Sequence, residues 1–422
     1  MNAPMTATPL RSHDHVAAHT IHDVETTHCA IVGGGPAGAV LALLLARKGV
    51  PVTLLEAHAD FDREFRGDTL HPSVMQLMDE LGLADRLLKL RHSRIDRFSV
   101  PTSGGPASPL NFKRLKTRFP FITMLPQKNF LEFLTAEAQR YPTFKLVMSA
   151  RVEELIEEDG VVRGVRYQTP EGWHELRALL TIGTDGRFSR VRKLAGIEPI
   201  KTSPPMDIMW FKLPRTQNDQ QGLMGRIGKG FILVMLDRDD SWQIGYVIPK
   251  GSYQQVRAAG LETLRSQVVE AAPELADRVA LLEDWKQVSL LSVESSRCPR
   301  WFKPGLLLIG DAAHVMSPVG GVGINYAIQD AIVAANVLTK PLKEGQVRER
   351  DLRAVQRRRE WPTRIIQAIQ SQLQQRILAG VLDLSRPLNV PRFVRLLGYI
   401  PFVRDIPARI VAFGVWPVHA QV

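Results

Sequence analysis

Gly33, Gly35 and Gly38 form a Gly-x-Gly-x-x-Gly run between the apolar stretch His28-Cys29-Ala30-Ile31-Val32 and a helical stretch that continues through Leu45. Each glycine has its own task in a dinucleotide site: a tight turn at Gly33, close backbone approach to a pyrophosphate at Gly35, and close helix–strand packing at Gly38. With Pro36 and Ala37 they open a helix, whose unpaired N–H groups and dipole favour an anion. Gly49 ends that helix, and Pro51-Val52-Thr53-Leu54-Leu55-Glu56 reads as a second buried strand closed by an acid, 18 residues past the last glycine, where a carboxylate reaches ribose hydroxyls. Nicotinamide and flavin dinucleotides share this motif, so the motif alone does not choose between them.

About 270 residues later, Pro304-Gly305-Leu306-Leu307-Leu308-Ile309-Gly310-Asp311 is again an apolar strand that delivers an acid. A Pro/Gly loop through Pro318 follows, and then Gly323, Ile324 and Asn325 open a helix from about Tyr326 to Leu338. That separation suits a long cofactor such as FAD: Asp311 accepts from the ribityl chain, and the N–H groups of Gly323, Ile324 and Asn325 face the flavin edge where reduction places negative charge. Between the two lies Leu179-Leu180-Thr181-Ile182-Gly183-Thr184-Asp185-Gly186, a third strand ending in an acid, which alone would read as a capped helix start.

The trio of Gly33-x-Gly35-x-x-Gly38, Asp185-Gly186 and Gly310-Asp311-Ala312-Ala313-His314 resembles the class A flavoprotein monooxygenases, the para-hydroxybenzoate hydroxylase family, over roughly residues 28–345. The resemblance implies an α/β, glutathione-reductase-like FAD-binding fold, NADH or NADPH as electron source, and hydroxylation of an aromatic or lipophilic small molecule through a flavin C4a-hydroperoxide. It places Arg66 at the start of the loop that lets the flavin swing, Gln127 near the pyrophosphate, Val152 where a strand backbone meets adenine, and Asp185-Gly186 where FAD and NAD(P)H are both served. Asp311, Pro318 and Gly323 to Asn325 fall on the flavin-ring loop. His314 reads as a structural hydrogen-bonding residue of the motif, and no catalytic base is identified.

These motifs divide the chain into a disordered tail (1–27), an FAD-binding part (28–200, with 94–125 contributing to a substrate lobe), an inserted sheet-based substrate domain (201–295), the second FAD-binding part (296–345) and a basic helical C-terminal region (346–422). In the substrate lobe, strands are expected at Met206–Leu213, Gly230–Leu236 and Ser241–Pro249, with a helix from about Tyr253 to Ala272; Trp210, Trp242 and Tyr246 either line an aromatic pocket or pack the sheet. No second Gly-x-Gly-x-x-Gly follows a strand, so NAD(P)H has no domain of its own; Arg187, Arg190 and Arg192 are candidate phosphate partners.

Three other readings compete. Flavin-dependent halogenases resemble the same fold, but the tryptophan type carries Trp-x-Trp-x-Ile-Pro, and Trp242 to Pro249 lacks the second Trp. An isoprenoid double-bond reductase and a non-catalytic flavin-binding module docked on a membrane or partner are the others; substrate-stimulated NAD(P)H oxidation with incorporation of one oxygen atom separates them from a monooxygenase.

The 422 residues are 45% hydrophobic and carry 54 Lys and Arg against 43 Asp and Glu. The surplus is local, since residues 346–410 hold 13 arginines, no lysine and five acids. A local surplus argues against nucleic acid as the partner. A prolonged arginine-rich helix interrupted at Pro362, then short proline-divided segments, suits either packing over the FAD domain, a homodimer contact or a peripheral membrane surface. Two cysteines, no metal-ligand spacing and no secretory or membrane-spanning pattern place the protein in the cytoplasm, with the inner face of a membrane as the peripheral alternative. The irregular spacing of His13, His15, His19, His22 and His28 suits a solvated tail better than metal capture.

Overall fold

The computed structural model describes residues 20–62, 68–102, 105–216, 219, 222–228, 231–238, 240–382 and 404–421. Its larger sheet has eight strands. Ile21–Val32 lies at its centre, parallel to Val52–Leu55 on one side and to Gly172–Gly183 on the other, and Gly172–Gly183 is in turn parallel to Leu306–Leu308. Cys29 to Val32, Val52 to Leu55 and Leu306 to Leu308 are buried, the continuous apolar pattern of parallel strands covered on both faces. The pairs Val32–Leu55, Val32–Gly183 and Gly183–Leu308 end these strands level with one another. The glycine turn, Asp185 and Gly310-Asp311 therefore all emerge at the carboxyl edge of neighbouring strands, where open α/β sheets bind their ligands.

The first strand begins seven residues before His28, which corrects the expected limit of the N-terminal tail. Its polar start is held by pairing along Trp173 to Ala178 and by side chains: His174 and Asp23 share a hydrogen bond, and the His22 ring lies over Gly172, with no room there for a Cβ. Composition alone hides a strand whose partner supplies the stability.

A seven-stranded sheet forms the second lobe, in the order Ser289–Leu291, Met206–Pro214, Ser241–Pro249, Phe231–Asp237, Leu223–Gly228, Arg97–Thr102, Gly105–Asn111. One face packs on the helix Leu261–Ala271 through Leu264 and Val268. The single helix expected over Tyr253–Ala272 is two, Tyr253–Ala258 and Leu261–Ala271, because Gly260 at φ +91° leaves the helical region between them.

Helix Glu349–Leu382 runs through Pro362 without a break. Proline at that position lacks the N–H that would bond Arg358 O. The buried face of Leu352, Val355, Arg359, Thr363 and Ile366 carries the helix across the defect. The C-terminal helix Ile406–Phe413 and the residues after it dock on the helices Pro72–Glu80 and Gly323–Lys343. Val411 O meets His71 Nδ1 at 2.6 Å, Phe413 O accepts from Gln329 at 3.1 Å, and Glu80 accepts from Ala420 N at 3.0 Å. Packing is thus what the structure shows for 404–421; the proline-divided stretch 386–403 lies outside the described residues.

Candidate functional site

The turn after Val32 is built by groups that leave only one of its sides open. Gly33, at φ +107°, donates to Leu55 O at 2.8 Å, and Thr184 Oγ1 donates to both Val32 O and Gly33 O, at 2.8 and 2.7 Å. A Cβ on Gly33 would lie 2.7 Å from Thr184 O, and one on Gly38 would overlap Gly33 O. A Cβ on Gly35 would meet nothing within 4 Å. Gly35 caps the helix Pro36–Arg47 without a side-chain hydrogen bond, and the first intrahelical donor outside the turn is Ala39 N, to Gly35 O at 2.9 Å. The N–H groups of Ala37 and Gly38 have no intrahelical acceptor. An open flank, unpaired donors and a helix N-terminus together fit a diphosphate. Glu56 closes the second strand, its Oε2 accepting from Gly34 N at 2.8 Å and its Oε1 from His58 N at 3.1 Å. Its carboxylate thereby stiffens the turn beside which a ribose would lie.

Asp185 is a cap. Its Oδ1 accepts from Ser189 Oγ at 2.5 Å and its Oδ2 from Arg190 N at 2.7 Å and Val191 N at 3.0 Å. Burial raises its pKa against those bonds. Gly186 follows at φ +80°, and the Asp185 backbone lies against Gly33, so the motif positions the glycine turn from below. Of the three nearby arginines, Arg192 is buried and donates to Ala312 O at 2.9 Å and Arg187 O at 2.8 Å, while Arg190 pairs with Glu153. Both are committed to the fold, which leaves Arg187, half-buried and donating to Ser292 O at 3.4 Å, as the remaining candidate of the set.

Gly310, at φ +60°, sits where the helices Pro36–Arg47 and Gly323–Lys343 meet, with Ala37 and Ala327 on either side. Its N–H donates to Asp330 Oδ2 at 3.0 Å. The same oxygen lies 2.6 Å from His314 Nε2, and Asp330 Oδ1 accepts from Arg359 Nε at 2.7 Å. His314 is thus structural, as its motif suggests. Asp311 stands half-buried on the short turn Gly310–Ala312 that this network fixes. Pro318 begins the turn Val319–Gly321, and Gly323, Ile324 and Asn325 occupy the first helical turn, where their N–H groups lack intrahelical acceptors. The Asn325 side chain accepts from His71 N at 2.9 Å and donates to Gly321 O at 3.2 Å, pinning the loop.

Gln127 opens the helix Gln127–Ala138 and donates from its backbone to Asp68 Oδ1 at 3.1 Å; Val152 is buried in the strand Arg151–Glu158, opposite Tyr167. Arg66 lies outside the described residues.

Strand alternation divides the three aromatic candidates between two faces. Trp242 and Tyr246 face the helix Leu261–Ala271 and are fully packed, Trp242 Nε1 donating to Asp219 at 2.9 Å and Tyr246 OH to Gln267 Oε1 at 2.6 Å. They belong to the core of the second lobe, packing the sheet rather than facing outward. Burial raises the Tyr246 phenol pKa, so it stays protonated. Tyr246→Phe is expected to cost about 1 kcal/mol of stability by urea titration and to leave KM unchanged. Trp210 lies on the opposite face, its ring over Gly245, beside Ile208, Val247 and Val319 of the turn Val319–Gly321. The same side holds Gln243, whose Oε1 accepts from Arg238, and Arg238 in turn pairs with Asp68. Burial raises the Asp68 pKa and lowers that of Arg238, each against the pull of the other charge.

The FAD binding domain family matches residues 26–369. The chain belongs to the class A FAD-dependent monooxygenases. It is 36% identical over 392 residues, 92% of each chain, to 6-methylpretetramide 4-monooxygenase of Streptomyces rimosus. It is 26% identical to para-nitrophenol 4-monooxygenase of Pseudomonas sp. strain WBC-3, over 75% of this chain and 78% of the relative. Among solved structures, the anhydrotetracycline hydroxylase OxyS of Streptomyces rimosus shares the fold, with a TM-score of 0.74 at 22% identity over 94% of this chain and 78% of that one. FAD is the cofactor of this monooxygenase, an oxidoreductase in which no described helix is long and apolar enough to cross a membrane.

The monooxygenase also contains site residues that sequence reasoning missed. His71 is fully buried, its Nδ1 tied to Val411 O and its Nε2 without a hydrogen-bond partner among the described residues, near Gly321. Burial pushes its pKa down to about 4, so the ring is neutral at pH 7. Asp330, Arg359 and the Asp68–Arg238 pair were missed as well. Their partners are 29 residues away for Asp330–Arg359 and 170 for Arg238–Asp68, and no local pattern links such positions.

Proposed function

We propose that the enzyme hydroxylates an aromatic small molecule bearing an acidic ring oxygen, with electrons from NADH or NADPH and the oxygen atom from dioxygen. The observation that carries this reading is the 36% identity, over 92% of both chains, to a relative named 6-methylpretetramide 4-monooxygenase. The Gly33–Gly38 turn would seat the pyrophosphate of FAD, Glu56 its ribose, Asp311 its ribityl chain, and the N–H groups of Gly323 to Asn325 the polar edge of its ring. FAD, when bound, supplies the activation of dioxygen that no side chain can perform.

What remains for the chain is to hold the substrate, exclude water and keep a ring oxygen charged. Trp210, Ile208, Val247 and Val319 supply an apolar wall. Arg238, held by Asp68 and Gln243, supplies a desolvated cation that lowers the pKa of a phenol or enol beside it, making the ring a better nucleophile.

The test is turnover of 6-methylpretetramide and a panel of phenols under oxygen-18 by the purified yellow protein, with NADH and NADPH compared. One labelled oxygen per product and substrate-stimulated NAD(P)H oxidation are expected. Arg238→Met should raise KM at least tenfold with FAD content unchanged. Unlabelled product, or nicotinamide oxidation that yields only hydrogen peroxide across the panel, would count against the reading.

A further inference from the structure

The helix Glu349–Leu382 presents two chemically different faces. Its inner face reaches the flavin-side loop: Gln370 Nε2 donates to Ser317 O at 2.9 Å and to Val319 O at 2.7 Å, and Gln374 bonds Ser317 Oγ. Its outer face carries Trp361, Ile365, Ile369 and Leu373, exposed by 64, 37, 41 and 44%. Four-residue spacing on a helix of 3.6 residues per turn sets them in one slanting row.

Arg357, Arg358 and Arg364 are exposed along the same side. The acids of the helix are elsewhere or engaged. Glu349 pairs with Arg300 at 3.1 Å and Arg353 at 2.6 Å, Asp351 caps Arg348 N at 2.9 Å, and Glu360 lies half-buried at the margin, accepting from Gln356 at 3.1 Å and pairing with Arg364 at 3.8 Å. Beside Trp361 a groove of about 500 Å³ is lined by Arg300, Arg353, Arg357, Arg364 and Phe302, with Glu360 as its one acid. An apolar row with an aromatic at one end, flanked by arginines and adjoining a basic groove, is the composition of a helix that lies in a lipid interface.

We propose that this outer face docks the enzyme on an anionic lipid surface, with Trp361, Ile365, Ile369 and Leu373 at the headgroup–acyl boundary and the arginines on lipid phosphates. Charge complementarity selects this occupant over a second copy of the chain. A two-fold contact sets a patch against itself, and with Arg300, Arg353, Arg357, Arg358 and Arg364 set against Glu349 and Glu360 the face keeps a positive surplus that a second copy would repel rather than neutralise. Docking would be peripheral, since no described helix can span a bilayer. It would also bring the membrane to within about one helix diameter, ~10 Å, of the loop the inner face grips.

The experiment is co-sedimentation of the full-length FAD-loaded protein with vesicles of phosphatidylglycerol and phosphatidylcholine, compared with phosphatidylcholine alone. Binding at least tenfold tighter to the anionic vesicles is expected, weakening as salt rises. Ile365→Asp with Ile369→Asp, and separately Arg357→Glu with Arg364→Glu, should each weaken it at least tenfold. Both pairs are exposed, so FAD content and lipid-free sedimentation should match the parent. Absence of binding by the parent overturns the proposal. So does binding that responds to salt but to neither pair, which is bulk basic adhesion. A lipid-free dimer that Ile365→Asp with Ile369→Asp dissociates, without vesicle binding, would reassign the face to subunit contact.

Discussion

Gly35→Ala is expected to fold as the parent does and to lose FAD, whereas Gly38→Ala is expected to lose both stability and FAD. The two residues lie three apart in one turn and differ in what a methyl group would meet. At Gly38 the added Cβ overlaps Gly33 O and comes within 2.7 Å of Thr184 Oγ1, so strand and helix must separate. Overpacking of that kind costs about 3 kcal/mol, and backbone cannot yield as a flexible side chain does. At Gly35 the backbone, with φ −70° and ψ −177°, is one that alanine adopts without strain, and the Cβ meets no protein atom within 4 Å. The methyl then projects only into the flank where the pyrophosphate would lie. Urea titration of the apoproteins should therefore leave Gly35→Ala on the parent curve and shift Gly38→Ala to lower denaturant. FAD titration by flavin fluorescence should show at least a tenfold loss of affinity for both. Parent-like affinity in Gly35→Ala would move the pyrophosphate away from this turn.

The proposed cofactor half of this site is legible in the sequence because its chemistry would be carried by backbone. A glycine is required wherever a turn and a close approach coincide, and four apolar strands that each end in Gly, Asp or Glu must finish at one sheet edge if they are parallel. The substrate half is not legible for the opposite reason. Period-two alternation assigns Trp242, Ile244 and Tyr246 to one face and Gln243, Gly245 and Val247 to the other, but it does not say which face meets the helix Leu261–Ala271. The register resolves it: Trp210 stands opposite Gly245, and Met209 opposite Tyr246, so the two tryptophans point to opposite sides of one sheet. Charge counting fails in a similar way along the C-terminal region. Arg359 belongs to its arginine-rich helix, yet it is fully buried and serves Asp330, while its neighbours Arg357 and Arg358 face outward. A helical period predicts that some arginine must face inward, but only the partner contributed by a distant helix makes that tolerable.

That partner carries the second large expected effect: Asp330→Asn should destabilise the fold by about 3–5 kcal/mol and loosen FAD at the same time. Asp330 has no solvent exposure, and its carboxylate serves three donors, two from the Gly310–His314 motif and one from the helix Glu349–Leu382. Burial alone would raise its pKa; the charges and hydrogen bonds of His314 and Arg359 outweigh it and hold the carboxyl below the usual range. An asparagine keeps the shape but leaves Arg359 without a counterion. The guanidinium lies over the Tyr326 ring at 5.3 Å, and its Nη1 and Nη2 make no hydrogen bond among the described residues, so the ring is what would have to compensate. Gly310 N would lose its carboxylate acceptor too, which frees the turn that presents Asp311. The pH dependence has a definite sign. A carboxyl whose folded pKa lies below its unfolded value contributes stability that is full above the unfolded value, about 4, and is lost as pH falls through the folded one. Urea titrations should thus show the full gap between parent and Asp330→Asn at pH 7, still nearly full at pH 5, and shrinking only below about pH 4. A gap that closes instead between pH 7 and 5 would assign the effect to protonation of a histidine. Arg359→Leu, which removes the cation and keeps the packing, should restore part of the stability lost in Asp330→Asn, because the uncompensated charge carries most of the cost.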